Sequence, residues 1–241
     1  MNLHVCDTAE ALGRDAAKQS VRILEDCLRE QGYARIVLST GASQFTFFRA
    51  LAAEKLDWGK VEMFHLDEYV GLKDTHPASF RLYLRERFLS FAPVGRAHLI
   101  DGEGDLDATV ARLGEEIASA PIDLALIGIG ENAHIAFNDP PADFDDEAAY
   151  KVVDLDEACK AQQVREGWFE SVERVPRQAI TMTVRQILRS RHIVSCVPHQ
   201  VKARAIQHAL AEGVTNRVPA SILKTHAGWD LYLDRESSSL L

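Results

Sequence analysis

The 241-residue chain lacks any excess of positive charge. Its 27 Lys and Arg stand against 36 Asp and Glu, for a formal net charge of −9. No basic stripe runs through it, which argues against nucleic acid as a partner. The acidic balance also repels anions at long range, so an anionic substrate needs a local basic pocket. No apolar run approaches the ~18 residues of a membrane span. The opening residues MNLHVCDTAEALGRDAAKQ carry no apolar h-region and no small-residue cleavage site. The expectation is therefore a cytoplasmic protein without membrane contact. Cysteine is scarce: Cys6, Cys27, Cys159 and Cys196 are scattered without a CxxC pair. They read as small reduced hydrophobes, not as a disulfide scaffold. No pair of histidines has metal-ligand spacing, and no metal is predicted. Internal repeats, low-complexity tracts and linker-like stretches are missing too, so residues 1–241 read as one domain.

What is present is an ordinary globular composition, 46% hydrophobic and 26% charged, enough for one sizeable core. Apolar residues at helical spacing predict a helix over 8–31, with Asp7 as N-cap, Glu10 three residues on, and Gly32 at its end. Short apolar runs predict strands over 34–39, 61–66, 97–100, 122–128, 192–197 and 229–234. Helices are predicted over 45–54, 77–89 (opened by Pro77), 106–119, 156–169, 183–190 and 199–212. Strands alternating with helices predict an α/β fold: a doubly wound, mostly parallel sheet with helices on both faces, Rossmann-like. The tail RESSSLL is expected to fray.

In such sheets ligands bind beyond the carboxyl ends of the strands. Three loops leave strand ends with unusual residues. STGAS (39–43) is small, opens a helix, and offers the hydroxyls of Thr40 and Ser43, which suits an anion; the same residues also suit a plain capped turn. FHLDEYVGL (64–72) ends a strand on two adjacent carboxylates, Asp67 and Glu68. Neighbours on an extended backbone point to opposite sides, so one can serve as a base in a cleft while the other faces the protein. A solvated turn is the bland alternative. GIGENAHIAFNDP (128–140) places His134 in a glycine-flanked loop, with Asp139 able to fix the ring's tautomer and raise its basicity. A histidine satisfied by backbone groups is the other reading.

Together these loops resemble those of glucosamine-6-phosphate deaminases, in a superfamily that also holds 6-phosphogluconolactonases. VPRQAITM (175–182), Lys202-Ala203 and PASIL (219–223) extend the resemblance, in order, over about residues 34–234. It implies an enzyme that needs no cofactor. That enzyme opens the ring of glucosamine 6-phosphate, isomerises aldose to ketose, and releases ammonia to leave fructose 6-phosphate. By the same resemblance Asp67 is the general base, His134 assists ring opening and Asp139 is its carboxylate partner. Asn132 orients His134 or touches the substrate, Thr40, Gly41, Ala42 and Ser43 form the phosphate loop, and Lys202 binds phosphate. Family members occur as monomers and hexamers, so a homo-oligomer is open.

The chain departs from the family pattern at three places. Gln44 replaces a proline, which is expected to alter the helix entry and little else. Asp139 replaces a glutamate and is one methylene shorter. Gly167 stands where an arginine is usual, and Arg165 is the proposed substitute. Lys160, Gln162, Gln163, Arg165 and Trp168 suit a sugar phosphate; an ordinary amphipathic helix with Val164 and Trp168 inward is the alternative. A lactonase, with His134 activating water, is the runner-up function. A non-catalytic sugar-phosphate sensor is the third, and it explains neither Asp67 nor His134.

Overall fold

A computed structural model describes residues 1–211 and 213–241. Its strands and helices run β1 (Asn2–Cys6), α1 (Ala9–Gln31), β2 (Ala34–Leu38), α2 (Phe45–Leu51), β3 (Val61–His65), β4 (Asp67–Tyr69), α3 (Phe80–Leu84), β5 (Arg96–His98), α4 (Leu106–Ala118) and β6 (Leu124–Leu126). They continue with β7 (Tyr150–Asp154), α5 (Glu157–Arg165), β8 (Gln178–Met182), α6 (Val184–Leu188), β9 (His192–Val197), α7 (Ala203–Leu210) and β10 (Trp229–Asp234).

Seven strands form a sheet in the order β1-β10-β9-β6-β2-β3-β5, and every pairing in it is parallel. The expected doubly wound α/β architecture is therefore present. Strand β2 shows why its sequence is nearly all apolar. Ile36 and Leu38 pack with Leu12 and Leu24 of α1 and with Phe47 and Phe48 of α2. Val37, between them, points to the opposite core with Leu113 of α4, Ile187 of α6 and Ile206 of α7. A strand covered on both faces admits a polar side chain only where it is fully partnered, as buried Arg35 is by Glu62 and the carbonyls of Glu116 and Ile117. From β2 the chain winds one way through β3 and β5, and from β6 the other way through β9 and β10. The β2/β6 boundary is thus the switch point where a crevice opens at the strands' carboxyl ends.

The structure differs from the sequence expectations in instructive ways. A second, antiparallel sheet, β4-β8-β7, was not expected. Asp67–Tyr69, read as loop, is its first strand. β1 also escaped the pattern: it is a half-exposed edge strand held by pairing to β10 at the far end of the chain. The N-cap of α1 is Thr8, whose side chain accepts from Ala11 N; Asp7 lies one residue outside and pairs with Arg235. Helix α3 starts at Phe80, capped by Ser79, so Pro77 lies ahead of it. Thr183 and Asp156 likewise cap α6 and α5 from outside. The helix expected over 199–212 begins at Ala203 after a 3₁₀ turn, and its expected last residue lies outside the described residues. The tail is tied down: Ser237 is buried and donates its N–H to Asp234 at 2.7 Å. All four cysteines are unpaired, and no described helix is long and apolar enough to cross a membrane.

Candidate active site

A cleft opens at the switch point. The loop after β2 forms one wall with Ser39, Thr40, Gly41, Ala42 and Ser43. Gly41 has φ +103°, a conformation that favours glycine, and turns the chain into a 3₁₀ turn at Ala42–Gln44. The Tyr83 hydroxyl donates to the Gly41 carbonyl at 2.9 Å and holds this turn. Gln44 does more than alter the helix entry. Its buried amide donates to the Cys196 carbonyl of β9 at 3.1 Å and to Ser43 Oγ at 3.0 Å. Ser43 Oγ thereby accepts from the protein, and its own proton is available to an anion.

The wall opposite is built where the chain leaves one sheet for the other. β3 ends at His65, and Asp67 immediately pairs with Thr181 of β8. The side chains of Asp67 and Glu68 then diverge, as the extended backbone requires. Asp67 lines the cleft and is 6% exposed. Glu68 points inward. It accepts from the backbone N–H of Tyr69, Phe80 and Arg81, from the Ser79 hydroxyl at 3.0 Å and from Arg81 Nε at 3.3 Å. Glu68 therefore anchors the start of α3. Burial, and then the neighbouring Glu68 charge, pushes the Asp67 carboxyl well above the usual carboxylate range. His65 is no rival to His134: burial and the Arg81 charge hold it down at about 3, so it stays neutral.

The loop after β6 supplies the third part. Ala133 and Ala136 have φ +65° and +50°, strained values for non-glycine residues. Surrounding hydrogen bonds enforce them. Gly130 N donates to the His134 carbonyl at 2.9 Å, and Ala220 N, from the PASIL segment, donates to the Ala133 carbonyl at 2.9 Å. Asn138 Nδ2 donates to the carbonyls of Ile135 and Met182, each at 2.9 Å. The imidazole of His134 packs on the bare face of Gly130. A Cβ there would overlap Nε2, Cε1 and Cδ2 of the ring.

His134 Nδ1 lies 2.9 Å from Asp139 Oδ1, so the shorter carboxylate reaches the ring directly. The ring is turned so that this contact is bent, which leaves Nδ1 without a straight hydrogen bond. Asn132 braces both partners. Its Nδ2 donates to Asp139 Oδ1 at 3.0 Å, and its Oδ1 accepts from His134 N at 3.1 Å. Burial works to raise the Asp139 carboxyl, but the hydrogen bonds from His134 and Asn132 outweigh it and the net shift is downward. Asp139 is thus held as an anion behind the ring. Cys159 Sγ lies within 4.8 Å of donor atoms of both residues, a grouping with metal-ligand chemistry. Burial and the Asp139 charge push its thiol up.

The last wall comes from α5 and from the turn after β9. Cys159, Gln162 and Gln163 form the buried face of α5, while Val164 and, beyond the helix, Trp168 are partly buried and pack against core residues, so polar and apolar side chains both turn inward here. Arg165 does not reach the cleft wall. It projects outward and pairs with Glu131 at 2.5 Å. The α5 residues on the wall are Gln162, Gln163 and Glu166. Lys202, at the end of the Gln200–Lys202 turn, is 5% exposed, lines the cleft, and has no ion pair among the described residues. Burial lowers its pKa, partly offset by Glu166 and Glu131. The cleft thus gathers Thr40–Ser43, Asp67, His134 and Lys202; Asn132 and Asp139 stand behind the wall, and Arg165 lies outside it. Glu166 was missed, since nothing in its sequence neighbourhood separates it from an ordinary surface glutamate.

The geometry can now be set beside known proteins. Residues 7–232 match the family model described as glucosamine-6-phosphate isomerases/6-phosphogluconolactonase. A glucosamine-6-phosphate deaminase of Lactobacillus delbrueckii subsp. bulgaricus is 32% identical over 242 residues, covering 100% of both chains. One from Streptococcus sanguinis is 33% identical over 228 residues, covering 94% of this chain and 95% of that protein. Among solved structures, a monomeric glucosamine-6-phosphate deaminase superposes with a TM-score of 0.92 at 30% identity, covering 100% of both chains. A putative 6-phosphogluconolactonase from Neisseria gonorrhoeae shares the fold, with a TM-score of 0.77 at 22% identity over 97% of this chain and 98% of that one. With the model matching nearly its whole length, and with these relatives, the chain belongs to the glucosamine-6-phosphate isomerase/6-phosphogluconolactonase family.

Proposed function

We propose that the cleft converts glucosamine 6-phosphate and water to fructose 6-phosphate and ammonia. The observation that carries this reading is the meeting, in one cleft, of a buried carboxylate, a carboxylate-braced histidine, the 39–43 loop and a buried lysine with no ion pair among the described residues. The phosphate sits against Thr40–Ser43 and the Lys202 ammonium, a compact point charge suited to it. His134 Nε2, with no protein partner among the described residues, faces the sugar and moves the proton between the ring oxygen and the anomeric hydroxyl as the ring opens. Asp139 steadies the imidazole through both states. Asp67 then takes the proton from C2 while a proton of the substrate's ammonium group passes to O1, giving an enolamine, and Asp67 returns its proton to C1. C1 becomes the alcohol and C2 an iminium. Water adds at C2 and gives up a proton to the nitrogen, and the carbon–nitrogen bond breaks to release ammonia. A carboxylate whose pKa is raised by burial is a stronger base than one in water, and adjacent carbons lie within reach of one group.

The deciding assay is ammonia release by the purified protein from glucosamine 6-phosphate, with galactosamine 6-phosphate and 6-phosphogluconolactone alongside. Fast release from the first supports the reading. No ammonia with rapid lactone hydrolysis moves the protein to the lactonase reaction. The deaminase reading is favoured because relatives at 30–33% identity bear that name, while the lactonase-like structure is at 22% and shares the fold alone.

The packing of His134 on Gly130 makes a sharper test. Gly130→Ala places a methyl group inside the imidazole's position and displaces the ring. A shift of about 1 Å at a reacting group can cost ~10²-fold in rate. The variant is expected to lose about that much kcat. An unchanged kcat would remove His134 from the chemistry.

A further inference from the structure

Helix α5 presents polar side chains to the cleft, and their hydrogen bonds sort them into two kinds. Gln162 is committed to the protein. Its Oε1 accepts from Glu131 N at 3.1 Å, and its Nε2 donates to Glu166 Oε1 at 2.7 Å. Glu166 is committed as well, since its other oxygen accepts from Trp168 Nε1 at 3.1 Å. These contacts lock the end of α5 to the loop that carries His134. Gln163 is different. It is 6% exposed, it lines the cleft, and among the described residues its carboxamide has no hydrogen-bond partner. Its backbone carbonyl accepts from Trp168 N at 3.0 Å.

The carboxamide is open to the cleft, where it offers a donor and an acceptor that the protein leaves for a ligand. The chemistry of that ligand follows from the group. A carboxamide donates and accepts at once and carries no charge. It therefore matches neutral hydroxyls better than a phosphate, which needs only donors and charge. The charged task in this cleft already has its residue in Lys202. Gly167, one turn beyond Gln163, projects no side chain.

We propose that Gln163 is a specificity-determining residue, whose carboxamide hydrogen-bonds the hydroxyls of the sugar chain between the phosphate and the reacting carbons. The inference rests on the sugar-phosphate reading of the cleft and extends it to what distinguishes one sugar phosphate from another. Gln163 sets which hydroxyl pattern is accepted; Lys202 and the 39–43 loop recognise the phosphate whatever it is attached to.

The test separates those two tasks by binding, without relying on turnover. Calorimetric titrations with inorganic phosphate and with glucitol 6-phosphate, an open-chain phosphate that cannot react, are run on the wild type and on Gln163→Leu and Gln163→Met. Both variants match the glutamine in bulk, so failure of one to fold leaves the other. The wild type is expected to bind glucitol 6-phosphate more tightly than phosphate. Each variant is expected to lose tenfold or more of its affinity for glucitol 6-phosphate, with phosphate affinity within twofold of wild type. Steady-state assays should show KM for glucosamine 6-phosphate raised by a similar factor, with the preference over galactosamine 6-phosphate narrowed. Unchanged glucitol 6-phosphate affinity, or an equal loss for both ligands, overturns the proposal. A wild type that binds glucitol 6-phosphate yet releases no ammonia refutes the deaminase reading, while the binding comparison still decides the role of Gln163.

Discussion

Asp67→Asn is expected to lower kcat by roughly 10²–10⁴-fold, the usual contribution of a positioned general base. The asparagine keeps the shape of the side chain and loses the lone pair that takes the C2 proton. Affinity for glucitol 6-phosphate should hold within a few-fold, because binding needs no base. Near-normal turnover would end the assignment. The pH profile offers a second handle with a definite sign. Burial and Glu68 raise the Asp67 pKa, so the base form accumulates only as pH rises through that elevated value. The acid limb of kcat/KM should therefore lie above the ordinary carboxylate range. Stability moves the other way. A carboxyl whose folded pKa lies above its unfolded one contributes stability at low pH, and that contribution is lost as pH rises through the folded pKa. Above that folded pKa the wild-type carboxylate is a burden on the fold. There Asp67→Asn should raise Tm while it removes most of the turnover, a pairing that a merely structural residue would not produce.

Lys202→Ala is expected to raise KM by about 10–100-fold, the scale of a lost hydrogen bond to a charged group, with a smaller effect on kcat. Phosphate is held equally in the ground and transition states, so its loss is felt in binding more than in chemistry. Steady-state kinetics and the inorganic phosphate titration check this together, and an unchanged KM would remove Lys202 from the site. Burial also lowers the lysine's pKa. The ammonium form should therefore be lost at a pH below that of a free lysine, and KM should climb on the alkaline side earlier than substrate ionisation explains. In the Lys202 variant that limb should flatten.

Some of this protein was legible in its residues alone. Strands β9 and β10 coincide with the apolar runs at 192–197 and 229–234, because a strand buried on both faces admits little else. Gly32 ends α1 with φ +80°, as a helix-terminal glycine should. The His134–Asp139 pair was visible because both residues lie within one short loop, where chain connectivity already limits their separation. The opposed directions of Asp67 and Glu68 followed from the alternation of an extended backbone.

What escaped the sequence depended on partners far along the chain. β4 is three residues long and has no period to detect; it is a strand because β8 pairs with it. Arg165 looked like a phosphate ligand until the fold placed Glu131 beside it. For α5 the sequence left two readings open, a set for a sugar phosphate and an amphipathic face. Only the fold put Gln162 and Gln163 on the cleft and Val164 and Trp168 against the core. Local patterns of size and polarity determined where strands and helices form in this chain. Which polar side chains are satisfied by the protein, and which are left for a ligand, was decided only when the tertiary structure set distant segments side by side.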